Sequence, residues 1–208
     1  MDDGIRDGPG NAETGQLEND TKRHVREREL TRRQLPSCTM DAVQVPMEKW
    51  FQVGGLDTER LLSEWRWLCP SRMLLIARNV FGELFLRDEV GAVFWLNTTI
   101  GKFNKASGTE AEFREMAETS EKRKEWFAEP EALSYGKRGL NPGLSQCIGF
   151  SVPAVFAEGG TPETAYVADL HEYVSFLGDL HRQITDLPDG GKVQLRVNPP
   201  KPALPKRP

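Results

Sequence analysis

The chain has 208 residues, of which 38% are hydrophobic and 28% charged, and its formal net charge is -4. That length holds one domain with extensions or two very small ones, and no uninterrupted apolar run reaches the ~20 residues a membrane helix needs. The mild acidity argues against a general nucleic-acid binder, which needs concentrated positive charge to displace counterions from phosphates.

Residues 1–46 open with MDDGIRDGPG, which is acidic and lacks the apolar stretch of a secretory signal. Large apolar side chains are sparse throughout, too few to offset the entropy of ordering the chain, so a disordered N-terminal extension is expected. Its run KRHVRERELTRR reads as a solvated basic arm. Met47 opens the ordered-looking part, and residues 1–46 are expected to be an addition upstream of the natural start. Residues 47–197 form the expected single folded unit, with a net charge near -5. The tail 198–208, NPPKPALPKRP, is rich in proline, which removes backbone donors and favours an extended, flexible chain. Its PALP spacing also matches a short proline-recognition pattern that arises easily by chance.

Within the folded unit, GLDTERLLSEWRWL predicts an amphipathic helix capped by Asp57 or Thr58, with Leu61, Leu62, Trp65 and Leu68 on one side and Pro70 at its end. MLLIARN, GELFLRD and GAVFWLN then predict three strands. The short polar link DEVG predicts an antiparallel hairpin between the second and third, and Asn79–Gly82 allows another tight connection, giving a meander. Alternation sets Leu84 and Leu86 against Phe85 and Arg87, and Val93 and Trp95 against Phe94 and Leu96. Both faces are therefore apolar: one is expected under helices, the other partly covered or used in binding.

GTEAEFREMAETSEKRKEWFAEP predicts one further helix, with Thr109 and Glu112 as its capping box, and EPEALSYG a short one after it. LSQCIGFSVPAVFAEGG, interrupted by Gly149 and Pro153, reads as an irregular segment with a short extended piece. VADLHEYVSFLGDLHRQITDLPDGG predicts a clear helix capped by Asp169, with Tyr166 and Tyr173 near its start and an apolar stripe of Tyr173, Leu177, Leu180 and Ile184. KVQLRV adds a candidate last strand. The fold class is α+β, a small antiparallel sheet with meander hairpins flanked by helices.

No catalytic centre, cofactor motif or metal site is legible. His171 and His181 share a helix ten residues apart, ~80° short of three turns and ~15 Å along the axis, so they cannot share one metal ion. Ser151 lies in GFSVP rather than a nucleophile elbow, and neither a dinucleotide fingerprint nor a phosphate-binding loop occurs. Cys147 with His171 is the one nucleophile–base pairing worth naming, and nothing in the spacing specifies it. Cys38, Cys69 and Cys147 have no metal or redox spacing; an odd count without a signal peptide suggests reduced thiols in a cytoplasmic protein. Cys69 and Cys147, in apolar surroundings, are expected as small buried side chains.

Binding is the more legible purpose. Trp50, Trp65, Trp67, Phe85, Trp95, Tyr166 and Tyr173 are each explained by core packing, but an exposed aromatic among carboxylates makes a protein-binding anchor. Helix phase selects Trp67, because Trp65 takes the apolar side.

The stretches NVFGELFLRDEVGAVFWLNTTIGKF (79–103) and CIGFSVPAVFAEGGTPETAYVADLHEYVSFLGDLHRQI (147–184) resemble the C-terminal domain of type VI secretion immunity proteins that protect against DNase effectors. They are more distantly similar to the immunity superfamily related to a yeast cell-wall synthesis regulator. The resemblance covers approximately residues 47–196, with GFSVPAVFAEGG among its more specific parts. It implies a non-catalytic intracellular antidote, one half of a toxin–antitoxin pair, that binds and blocks a cognate toxin such as a basic nuclease. Glu83, Asp88, Glu89, Asp169 and Glu172 are the candidate acidic contacts, each also explained as solvated charge at a turn or helix end. A structural or regulatory adaptor without a toxin partner is the alternative, followed by a small enzyme using Cys147 and His171.

Overall fold

The alternating apolar runs become strands that pair with their neighbours in the chain. In the computed structural model, which describes residues 45–70 and 72–188, β1 (Leu74–Arg78), β2 (Leu84–Arg87), β3 (Val93–Asn97) and β4 (Lys102–Ser107) form one antiparallel meander. A separate hairpin joins β5 (Gln146–Phe150) to β6 (Ala165–Asp169). The helices are α1 (Thr58–Leu61), α2 (Glu110–Ala117), α3 (Ser120–Phe127), α4 (Glu129–Lys137) and α5 (Leu170–Ile184). The arrangement is α+β, as expected.

Register gives the meander two different apolar faces. Leu84 sits opposite Leu96, Phe85 opposite Trp95, and Leu86 opposite Phe94. Leu75, Leu84, Leu86 and Leu96 pack with Leu61, Leu62, Trp65, Val174, Leu177 and Leu180 on one side. Ile76, Ala77, Phe85 and Val93 pack with Trp50, Phe113, Trp126 and Phe127 on the other. Phe85 is fully buried, with the rings of Phe113 and Phe127 centred 5.0 and 5.3 Å from its own. Both faces are thus covered by helices, so the second face is not the binding surface the alternation allowed.

Four expectations change. The helix over GLDTERLLSEWRWL is one turn, α1, followed by a 3-10 turn over Ser63–Trp65. Leu61, Leu62 and Trp65 are all fully buried, and the tighter turn lets Trp65 Nε1 donate to Val174 O at 2.9 Å. The long helix from 108 onward is two helices. Thr119 leaves the helical region at φ -71°, ψ 143° and its hydroxyl caps α3 at Lys122 N. The break folds Trp126 back onto Phe113, the two rings stacking at 5.0 Å. β4 was not foreseen, because KFNKAS lacks an apolar run; it is carried by pairing to β3. β6 was not foreseen either, so Tyr166 lies in a strand rather than in the last helix.

Packing reaches residues before the expected boundary at 47. Val45 is buried, its N–H donates to Glu129 Oε1 at 2.8 Å, and its carbonyl accepts from Arg123 at 2.6 Å. The expected disordered leader before residue 45, the strand KVQLRV, the proline-rich tail and Cys38 lie outside the described residues.

Candidate protein-binding surface

The β5–β6 hairpin and α5 form a module built around close approaches. Gly149 lies under the Tyr173 ring, where a Cβ would meet Cε2 at 3.0 Å, and the Tyr173 hydroxyl accepts from Phe150 N at 3.0 Å. Burial pushes the Tyr173 phenol above its ordinary range, so it stays neutral. On the other side of α5, Gly178 admits the backbone of Glu64; a Cβ there would meet Glu64 O at 2.8 Å. Arg78 is buried beneath β5 and donates to Gly143 O at 2.9 Å and Gln146 O at 3.1 Å, fixing how the chain enters that strand.

The charge of this module is almost one-signed, Arg182 in the last turn of α5 being its one Lys or Arg. Between Gly139 and His181 there is no Lys or Arg, while Glu158, Glu163, Asp169, Glu172 and Asp179 supply five carboxylates. Glu158, Glu163, Asp169 and Glu172 are exposed and make no salt bridge among the described residues; Asp179 pairs with Arg182. Asp169 also caps α5, accepting from Glu172 N at 3.0 Å. Beside them Tyr166 and Phe176 are 44% and 43% exposed, edging the buried Tyr173 ring at 6.5 Å each. Exposed aromatic rings of this kind are the side chains that protein interfaces most often use as anchors.

The sequence-chosen residues divide between several places. Asp169 and Glu172 belong to this module. Asp88 and Glu89 sit in the β2–β3 turn, at the far end of β2 from the turn that meets β5 through Ile148 N and Val80 O. Asp88 accepts from Val90 N and Ala92 N, and Glu89 is exposed and pairs with Arg72 at 3.3 Å. A shallow cleft of roughly 250 Å³ beside this turn is lined by Met73, Arg72 and Phe94. Trp67 is 38% exposed, stacks on Trp65 and donates to Gly178 O at 3.3 Å, so it is partly a structural tie to α5.

Glu83 is not a surface contact. It is 8% exposed and accepts from Asn79 Nδ2 at 2.9 Å, Thr99 Oγ1 at 2.9 Å and Trp95 Nε1 at 3.2 Å. Burial pushes its carboxyl up to about 7, against those three bonds, which favour the charge. Sequence reasoning placed it in a turn, where carboxylates are usually solvated. The signal pointing the other way was Asn79, four residues earlier and able to reach it.

The two described cysteines and His181 are enclosed. Cys147 is fully buried and burial pushes its thiol up to about 12, while Cys69, also buried, is likewise at about 12. Such thiols are protonated and out of reach of a substrate as they stand. His181 donates from Nε2 to Thr98 O at 3.0 Å and lies tilted over Trp65, with burial lowering its pKa. Among the described residues no group of three potential metal ligands comes together, and no helix is long and apolar enough to cross a membrane. No family model matches the chain, and no curated protein matches it.

Proposed function

We propose that this chain is an immunity-type binding protein that holds and blocks a basic toxin, of the nuclease class in view of the resemblance of residues 79–103 and 147–184 to DNase-immunity domains. The observation that carries the reading is the stretch 139–181, with five carboxylates, no Lys or Arg, and Tyr166 and Phe176 exposed on the same module. A nuclease presents a basic surface to its own substrate. An acidic surface facing it speeds encounter, and desolvated aromatics slow release. The buried, protonated Cys147 speaks against the enzyme alternative.

The test is affinity capture of the full chain from its source cell, identification of what co-purifies, and inhibition with purified components. A basic nuclease that loses activity when bound supports the reading. Capture of no such toxin, under conditions where the chain is expressed, overturns it in favour of an adaptor.

A further inference from the structure

We propose that the outer edge of β6 is the docking rail of this module, accepting an extended segment of the partner that bears Lys or Arg and adds to the hairpin as a third strand. The inference rests on the proposed basic partner and supplies the place and mode of contact.

Hydrogen-bond phase identifies the edge. Leu170 N donates to Ser145 O at 2.8 Å and Ser151 N to Thr164 O at 2.9 Å, one bond at each end of the β5–β6 pairing. Bonded residues alternate along an antiparallel pair, so Thr164, Tyr166, Ala168 and Leu170 turn their backbone groups toward β5. Ala165 and Val167 turn theirs away, and among the described residues neither backbone N–H nor C=O there has a partner. The same phase turns Ile148 of β5 outward on the opposite edge, where its N–H donates to Val80 O at 2.7 Å. Among the described residues, one edge of the hairpin is therefore used and the other open.

An open edge is usually guarded against pairing, most often by lysine. β4, the outer strand of the meander, carries exposed Lys102 and Lys105. β6 carries no cation, and its sequence AYVAD is uncharged until Asp169. Glu163 precedes the strand, Asp169 closes it, and Glu172 follows on the first turn of α5. An incoming strand with basic side chains meets carboxylates at both ends and no repelling cation, while exposed Tyr166 offers it an apolar contact. Main-chain bonds then supply affinity and the flanking charges select the sequence.

The probe is a capped decapeptide of alternating lysine and valine, titrated into the isotope-labelled full chain and followed by amide shifts. The expected result is saturable shifts centred on residues 164–169, weakened by salt and absent with an alternating glutamate–valine peptide. Val167→Pro removes the outward N–H while leaving every bond to β5, and lowers affinity about tenfold; Val167→Ala keeps the N–H and stays within about twofold. Should Val167→Pro disturb the amide spectrum beyond the hairpin, the peptide is methylated instead on either alternate set of amides: one set abolishes binding and the other preserves it. Absence of saturable shifts, shifts mapping away from β6, equal binding of the acidic peptide, or indifference to both the proline and the methylation overturns the proposal. Toxin capture is scored separately, so a toxin that binds without using β6 leaves the functional reading standing, and a responsive edge without a toxin leaves the edge standing.

Discussion

Asn79 and Glu83 hold each other across the β1–β2 turn: Asn79 Nδ2 donates to the Glu83 carboxylate at 2.9 Å, and Asn79 Oδ1 accepts from Glu83 N at 3.1 Å. Asn79 Nδ2 also donates to Trp126 O at 3.0 Å, which joins the turn to the end of α3. Because burial raises the Glu83 carboxyl to about 7 from an ordinary 4.5, the folded state keeps a proton that the unfolded chain releases. The stabilisation is fully present below about pH 4.5 and fades as pH rises through about 7, by at most roughly 3 kcal/mol. Urea unfolding between pH 4.5 and 8 should show this decline, and Glu83→Gln should flatten it. A slope unchanged in the variant would assign the effect elsewhere.

The buried pair of Arg123 and Glu129 behaves in the opposite sense. Arg123 Nε donates to Glu129 Oε2 at 2.9 Å, and both side chains also hold the backbone of Val45. The guanidinium bond keeps the Glu129 carboxyl below its usual range, so its contribution is present above about pH 4.5 and is lost as pH falls through the lowered value. Arg123→Ala leaves a buried carboxylate unpaired and should cost about 3–5 kcal/mol at neutral pH. An unfolding free energy, read from chemical denaturation, lowered by less than a quarter of that would show the pair to be solvated.

Gly178→Ala should destabilise the protein although it sits inside a helix. Alanine in place of glycine ordinarily favours a helix by about 1 kcal/mol. Here the added carbon would meet Glu64 O at 2.8 Å, and a forced backbone shift of that kind costs about 1–3 kcal/mol. Thermal melting reads the sign directly, and a raised melting temperature would mean that α5 and the 3-10 turn can separate freely.

Thiol labelling should report unfolding rather than exposure. With Cys38→Ser in the background, Cys69 and Cys147 should resist a neutral-pH alkylating reagent until denaturant is added, because both are buried and protonated. Prompt labelling of Cys147 in native buffer would reopen the nucleophile reading.

The strands β1 to β3, the caps Thr109 and Asp169, and the apolar stripe of α5 were legible because each is written locally, in a period or a capping pair. What escaped was written at a distance. β4 and β6 are short and weakly apolar, and pairing with β3 and β5 makes them strands. The break at Thr119 serves contacts with Phe85 and Phe113, although the pair Thr119–Ser120 is itself a capping signal that a helix-wide reading passes over. For the surface, Asp169 and Glu172 were found as charges at a helix start, but that exposed Tyr166 and Phe176 flank Tyr173 beside them emerges only once β6 is seen leading into α5. Trp67 was rightly set apart from Trp65 by helical phase even though the helix itself is interrupted.

Covering both faces of the meander with apolar side chains weakens a safeguard that most small sheets possess. In a half-solvated sheet, sliding one strand by a single residue throws its greasy side into water, and the penalty selects the correct alignment. Here a slipped β2 would exchange Phe85 for its leucine neighbours and still meet hydrocarbon on either side. Alignment must therefore be chosen by the corners. Asp88, gripping Val90 and Ala92, and Asn79, gripping Phe81 and Glu83, act as the two stops that count residues for the strand between them.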